Sequence, residues 1–157
     1  MAYRLLSVRD RSRSELGAAM ARKDVPDEVA RVVLDEFAER GYLDDARLAE
    51  GVVAGVAHRP RSRSALQREL TARGVDTETA QQATAAMDRE AEVGAARRLA
   101  AKRAPSLSRL DHAVAYRRLA AALARRGFPA DIVHQVTCET VQGERDGDEG
   151  DWATFGH

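Results

Sequence analysis

Ser62-Arg63-Ser64-Ala65-Leu66-Gln67-Arg68-Glu69-Leu70-Thr71-Ala72-Arg73-Gly74-Val75 decides how this chain folds, because its grammar recurs. Fifty residues earlier it reads Ser12-Arg13-Ser14-Glu15-Leu16-Gly17-Ala18-Ala19-Met20-Ala21-Arg22-Lys23-Asp24-Val25. A more divergent copy runs from Tyr116 through Leu119, Leu123, Arg126 and Gly127 to Phe128. Each copy has an apolar pair four apart, a basic residue three further on, a chain reversal and then a hydrophobic residue. That is one helix and the turn into the next. Self-similarity at this period indicates a helical array.

Outward from these copies, the other elements follow. Ser12 with Glu15 has the spacing of a capping box, and Lys23 suits the negative end of the helix dipole. Gly74 and Gly127 sit where the backbone must turn left-handed; Asp24 holds that position in the first copy at a small cost. A second helix starts near Pro26, with Val29, Val33 and Phe37 expected on its apolar face. Gly41 reads as the residue that ends it and Asp44 as the cap of a third helix, with Leu43 placed to staple onto Leu48 and Tyr42 packed into the junction. Ala49, Val52, Val53 and Val56 line that helix, which stops before Pro60. The fifty-residue offset pairs Ser12 with Ser62, Leu16 with Leu66, Met20 with Leu70, Val25 with Val75, Ala30 with Ala80 and Phe37 with Met87. A further helix runs from about Asp88 to Lys102, with Pro105 expected to end it. A long helix then reaches Arg126, and Pro129 opens the last one, with Ile132, Val133 and Val136 facing inward.

The fold class is therefore all-α: three tandem three-helix repeats forming a helical array, with a disordered C-terminal tail. The expected boundaries are a lead-in at 1–11, repeats at 12–58, 59–104 and 105–141, and an acidic tail at 142–157. With 157 residues and 4% aromatics, the core must come from Ala, Leu and Val, and each unit leans on its neighbours. The single Cys138 rules out an internal disulfide and suits a reducing, cytoplasmic setting. The most apolar run, Leu48 to Ala57, contains Glu50 and is too short to span a bilayer.

The formal net charge of zero hides an asymmetry. From Val141 onward there are five acids and one base; removing them from totals of 25 and 25 leaves 24 basic and 20 acidic residues, a body of +4 with a tail of −4. Nearly all the bases are Arg, whose planar fork pairs with carboxylate and phosphate. Arg9, Arg11 and Arg13 recur at the same offset as Arg59, Arg61 and Arg63, at the mouth of each repeat's first helix. Arg97, Arg98, Lys102 and Arg103 form another cluster, and Arg117, Arg118, Arg125 and Arg126 line the third repeat. If the repeats stack regularly, these clusters form a positive ridge for an anionic partner or a periodic filament. Against this stands a solvated face paired with local acids.

No catalytic or metal site is expected. Asp44 and Asp45 diverge by about 100° on a helix, so they cannot share a proton; a cap and a first-turn acid account for both. His134 and Cys138 lie four apart but lack further ligands nearby, and His58, His112 and His157 are scattered. There is no phosphate-cradling glycine loop.

The Ser-Arg-Ser-x-x-Leu helix starts, the segment Gly41-Tyr42-Leu43-Asp44-Asp45-Ala46-Arg47-Leu48-Ala49 and the run Arg125-Arg126-Gly127-Phe128 resemble the RecX regulatory family over roughly residues 5–140. The resemblance implies tandem three-helix repeats forming an elongated, curved array, and a modulator of the RecA recombinase that lodges in the groove of the RecA–DNA filament. It further implies inhibition of RecA ATP hydrolysis and strand exchange, and so a part in recombination, DNA repair and the SOS response, without a cofactor. Asp24 departs from the family's glycine, and the acidic tail with Trp152 and Phe155 lies outside its pattern. The partner-binding residues expected on this reading are Arg9, Arg11, Arg13, Arg59, Arg61, Arg63, Arg97, Arg98, Arg117, Arg118, Arg125 and Arg126. Gly41, Tyr42, Leu43, Asp44 and Asp45 carry the family motif in a structural role. The alternative is a monomeric helical protein that binds single- or double-stranded DNA weakly and without sequence preference; a body charge of +4 limits that affinity. For the tail, the sharper expectation is that its acids cover the arginine ridge and compete with the partner.

Overall fold

A computed structural model describes residues 1–148, with side chains through residue 142. In chain order come α1 (Ala2–Leu6), α2 (Arg13–Ala21), α3 (Asp27–Glu39), α4 (Asp45–Ala54), a 3-10 turn (Gly55–Ala57), α5 (Arg63–Ala72), α6 (Thr77–Ala83), α7 (Arg89–Leu107), α8 (His112–Arg125) and α9 (Ala130–Asp148). No strand occurs among the described residues. Short polar side chains start most of the helices. Ser12 completes a capping box with Glu15, and Asp44, Asp76, Asp88 and Asp111 cap α4, α6, α7 and α8. The Ser62 hydroxyl accepts from the Ala65 N–H at 3.0 Å. Each satisfies an amide that the first turn leaves without a partner. Asp24, Gly41, Gly74 and Gly127 all have positive φ, as the turns require.

The chain divides into two compact units, residues 1–55 with 66–86, and residues 56–65 with 87 onward. In the first unit, Leu16 and Met20 of α2 pack with Ala30, Leu34 and Phe37 of α3 and with Leu43, and Leu5 and Leu6 of α1 close the edge. A second cluster joins Leu48 and Ala49 of α4 to Leu70 of α5, Val75 and Ala80 of α6. In the other unit α7, α8 and α9 pack on one another through Leu99, Leu119, Leu123, Ile132 and Val136. The apolar packing thus groups helices as α1–α3, α4–α6 and α7–α9, a phase one helix earlier than the sequence repeat. The Ser-Arg-Ser start marks the middle helix of the first two groups, and Asp111 caps the middle helix of the third.

The same joint occurs in both units. The Ser12 hydroxyl donates to the Arg73 carbonyl, and the Arg13 N–H donates to Asp45 Oδ1 at 2.9 Å. Correspondingly, the Ser62 N–H donates to the Arg126 carbonyl at 3.2 Å and the Arg63 N–H to Glu92 Oε1 at 2.8 Å. A cap serine thus meets the carbonyl just before the next copy's turn glycine. The free first-turn amide meets an acid from the following helix group.

Four expectations need correction. The buried stripe of α3 is Ala30, Leu34 and Phe37; Val29 is 51% exposed and Val33 lies at the edge. One residue rotates the stripe by about 100°, so a reading anchored on Val29 misses the core-facing row. Leu43 and Leu48 do not share a cluster: Leu43 caps the α2–α3 core and Leu48 enters the α4–α6 core. Pro105 lies inside α7, which continues to Leu107. Proline fits helical φ but loses the hydrogen bond to the Ala101 carbonyl and crowds that carbonyl with its ring, a cost met in the last turns where buried Leu107 anchors the helix end. α9 continues to Asp148, so the acidic stretch begins as helix backbone, and the expectations for Trp152 and Phe155 lie outside the described residues.

Candidate anion-binding groove

α8 carries two stripes. Ala115, Leu119, Ala122 and Leu123 face inward, whereas Arg117, Arg118 and Arg125 lie on its outer side. Arg118 and Arg125 are seven apart and so nearly in line, with Arg117 one step round the helix. The last turns of α7 run alongside and contribute Arg103, Ser106 and Leu107. Together these residues line a surface groove of about 450 Å³, with Leu107, Val114, Leu119 and Ala122 as its apolar part and Arg103, Arg117, Arg118 and Arg125 around it. No carboxylate lines it, and none of the four arginines makes an ion pair among the described residues. Four guanidiniums in one place repel one another, and an anion with several oxygens relieves that repulsion through paired N–H···O bonds.

The other arginine clusters are engaged differently. Arg9 pairs with Glu15 at 3.3 Å, Arg13 pairs with Asp35, and the Arg11 Nε donates to the Leu5 carbonyl at 3.3 Å. Arg97 forms a two-pronged bond to Glu139, both contacts at 2.9 Å, which joins α7 to α9. The Arg97 and Gln135 hydrogen bonds hold the Glu139 carboxyl at a pKa of about 2. Arg59 and Arg98 are exposed, Arg61 and Arg63 half-buried. Arg126 acts through its carbonyl, in the joint to Ser62. The expected set is therefore not brought together. Arg117, Arg118 and Arg125 share the groove, while Arg9, Arg13 and Arg97 already have carboxylate partners. Arg103 completes the groove although only its membership of a basic cluster pointed to it.

The motif residues hold structure. Asp44 caps α4, Asp45 serves the Arg13 N–H, and Gly41 takes φ +72°. Tyr42 stacks edge-on against Phe37 and Tyr3, at 5.6 and 5.3 Å between ring centres, and remains 46% exposed. Glu15 joins the cap of α2 to Arg73, which donates to it at 3.1 and 3.2 Å. Burial raises its pKa, but the Arg73 hydrogen bond, the Ser12 N–H and the charges of Arg73 and Arg9 outweigh burial and lower it. His134 Nδ1 lies 2.9 Å from the Tyr116 hydroxyl, and Cys138 Sγ lies 3.8 Å from both ring nitrogens, beside the ring and in line with neither. No group of three metal-ligating side chains occurs among the described residues, and none of their helices is long and apolar enough to cross a membrane.

Fold and groove define a class: all-helical proteins of repeated three-helix units that carry an arginine-lined surface. Family models described as the first, second and third three-helix domains of RecX match residues 1–37, 44–83 and 90–137. The regulatory protein RecX of Amycolatopsis mediterranei is 38% identical over 141 residues, covering 89% of this chain and 81% of that protein. That of Streptomyces coelicolor is 34% identical, covering 94% and 81%. The chain belongs to the RecX family of regulatory proteins. Its fold is that of the crystal structure of RecX from Lactobacillus salivarius, with a TM-score of 0.73 at 20% identity over 88% of this chain and 91% of the other.

Proposed function

We propose that this chain regulates recombination by binding the RecA–DNA filament and restraining RecA ATP hydrolysis and strand exchange, as a monomer in the cytoplasm. Family membership supports a regulatory role, and the α7–α8 groove supplies the observation that carries the reading to a contact surface. Among the described residues its four arginines have no carboxylate partner, which supports their meeting a filament's carboxylates or phosphates without first breaking an ion pair. The protein works by occupancy: bound along the filament, it obstructs the movements that couple nucleotide turnover to strand exchange.

The experiment is co-sedimentation with RecA filaments assembled on single-stranded DNA, with ATP hydrolysis measured in parallel. The full chain is expected to sediment with the filament and slow hydrolysis, and the double variant Arg117→Glu/Arg118→Glu to lose both effects. No co-sedimentation and unchanged hydrolysis at excess protein sink the proposal. Submicromolar binding to naked DNA at physiological salt, without recombinase, would instead favour an autonomous nucleic-acid binder.

A further inference from the structure

Aromatic rings are scarce in this chain, yet three of them meet in the first unit. Tyr3 of α1 lies 4.6 Å from Phe37 of α3 and 5.3 Å from Tyr42, between ring centres. Phe37 is buried and backs both tyrosines, which remain 54% and 46% exposed. By contrast, Phe128 is buried and Tyr116 half-buried. The Tyr3 and Tyr42 planes stand at 77°, so the two rings form a corner. A flat group fits such a corner, with one ring against its face and the other against its rim.

A groove of about 410 Å³ opens there, lined also by Leu6, Asp10 and Arg47, and it lies wholly within one compact unit. That is the size of a small-ligand site. Neither the Asp10 carboxylate nor the Arg47 guanidinium makes an ion pair among the described residues. The groove therefore offers aromatic faces, a hydrogen-bond acceptor and a cation side by side. A nucleotide presents the matching three groups: a planar base, an amino group on the base edge and a phosphate. An acidic peptide would be opposed by Asp10, and an apolar one would leave both charges unmatched. In a duplex the base faces are covered by their neighbours, whereas a single strand can splay a base onto an aromatic ring.

We propose that this groove takes one unstacked base of a single strand at the Tyr3–Tyr42 corner. Asp10 accepts from an amino group on the base edge, and Arg47 meets the adjoining phosphate. Cytosine, adenine and guanine carry such an amino group and thymine does not, so the site discriminates against thymine. It shares no residue with the α7–α8 groove. The inference thus goes beyond the filament-binding reading and stands without it.

The test uses the full chain, without recombinase, and the fluorescence anisotropy of labelled oligo-dC, oligo-dT and a duplex of the same length. At low salt oligo-dC is expected to bind in the micromolar range, about threefold more tightly than oligo-dT, the scale of one exposed hydrogen bond. Asp10→Ala should abolish that difference. Tyr42→Leu keeps an apolar side chain but removes the ring, and should weaken oligo-dC binding about fivefold. Tyr42→Phe should retain it, and neither variant should alter binding to the duplex. Far-UV circular dichroism verifies that the variants stay folded. No single-strand binding at low salt, no loss from Tyr42→Leu, or an equal loss on single strand and duplex overturns the base site. A preference for oligo-dC that survives Asp10→Ala overturns the role of Asp10. Unchanged single-strand affinity, with binding to DNA-free RecA lost in Tyr42→Leu, would give the groove to a protein segment instead. Co-sedimentation with filaments does not enter these measurements, so either reading can fail while the other holds.

Discussion

A methyl group at position 74 has nowhere to go. Gly74 turns the chain at φ +80°, and a Cβ there would lie 2.3 Å from the Ser14 Cβ on α2. Gly41 has a similar φ of +72°, but a Cβ there would meet nothing within 4 Å. Gly41→Ala is therefore expected to cost about 1 kcal/mol, the left-handed penalty alone. Gly74→Ala adds the displacement of α2 and should cost about 3 kcal/mol or more. Urea midpoints of the two variants check the contrast, and equal losses would contradict the close approach of Gly74 to Ser14. Glu15, one residue beyond Ser14, makes the same joint sensitive to acid. Its pKa is lowered from 4.5, so its contribution is complete above that value and is lost as pH falls through the lowered one. Glu15→Gln should destabilise by about 1 to 2 kcal/mol at pH 7. The difference from the parent should shrink as both are titrated towards pH 3.

At the scale of elements, caps and reversals were legible because they are local. Ser12, Asp44, Gly41, Gly74 and Gly127 each satisfy or turn the backbone beside them, and the structure gives them those roles. The α3 stripe was not legible to the residue, because Val29, Ala30, Val33 and Leu34 offer two overlapping apolar rows. Only packing against Leu16 and Met20 chooses between them. Leu70→Ala, which opens the α4–α6 core, should cost about 3 kcal/mol, whereas Val29→Ser should stay within about 0.5 kcal/mol. Thermal unfolding of both variants tests the assignment, and a large loss from Val29→Ser would restore the other row. The groove was less legible still. Its arginines stood out in sequence as clusters, but which arginines are already paired depends on Asp35 and Glu139, 22 and 42 residues from their partners. No local pattern encodes those distances.

For the whole molecule, the decisive quantity is how many arginines an anionic partner engages. A count over the sequence spreads twelve candidates along all the repeats, while ion pairing separates them into engaged and available groups. An arginine held by a carboxylate must exchange one anion for another, so it releases few counterions on binding a phosphate. An unpaired one releases nearly a full counterion, and binding weakens with salt by about one unit of slope per contact. Arg118→Ala and Arg125→Ala are accordingly expected to lower the slope of log Kd against log salt by about 1 each. Arg9→Ala and Arg13→Ala should leave it nearly unchanged, although Arg13 loses its pair with Asp35. The measurement is a salt titration of each variant on RecA filaments formed on single-stranded DNA. Equal reductions from both groups would mean that the partner breaks the Arg9–Glu15 and Arg13–Asp35 pairs, and the contact surface would then extend onto α2. A reduction confined to Arg118 and Arg125 would place the charge-dependent contact on α8, where the groove arginines meet no carboxylate among the described residues.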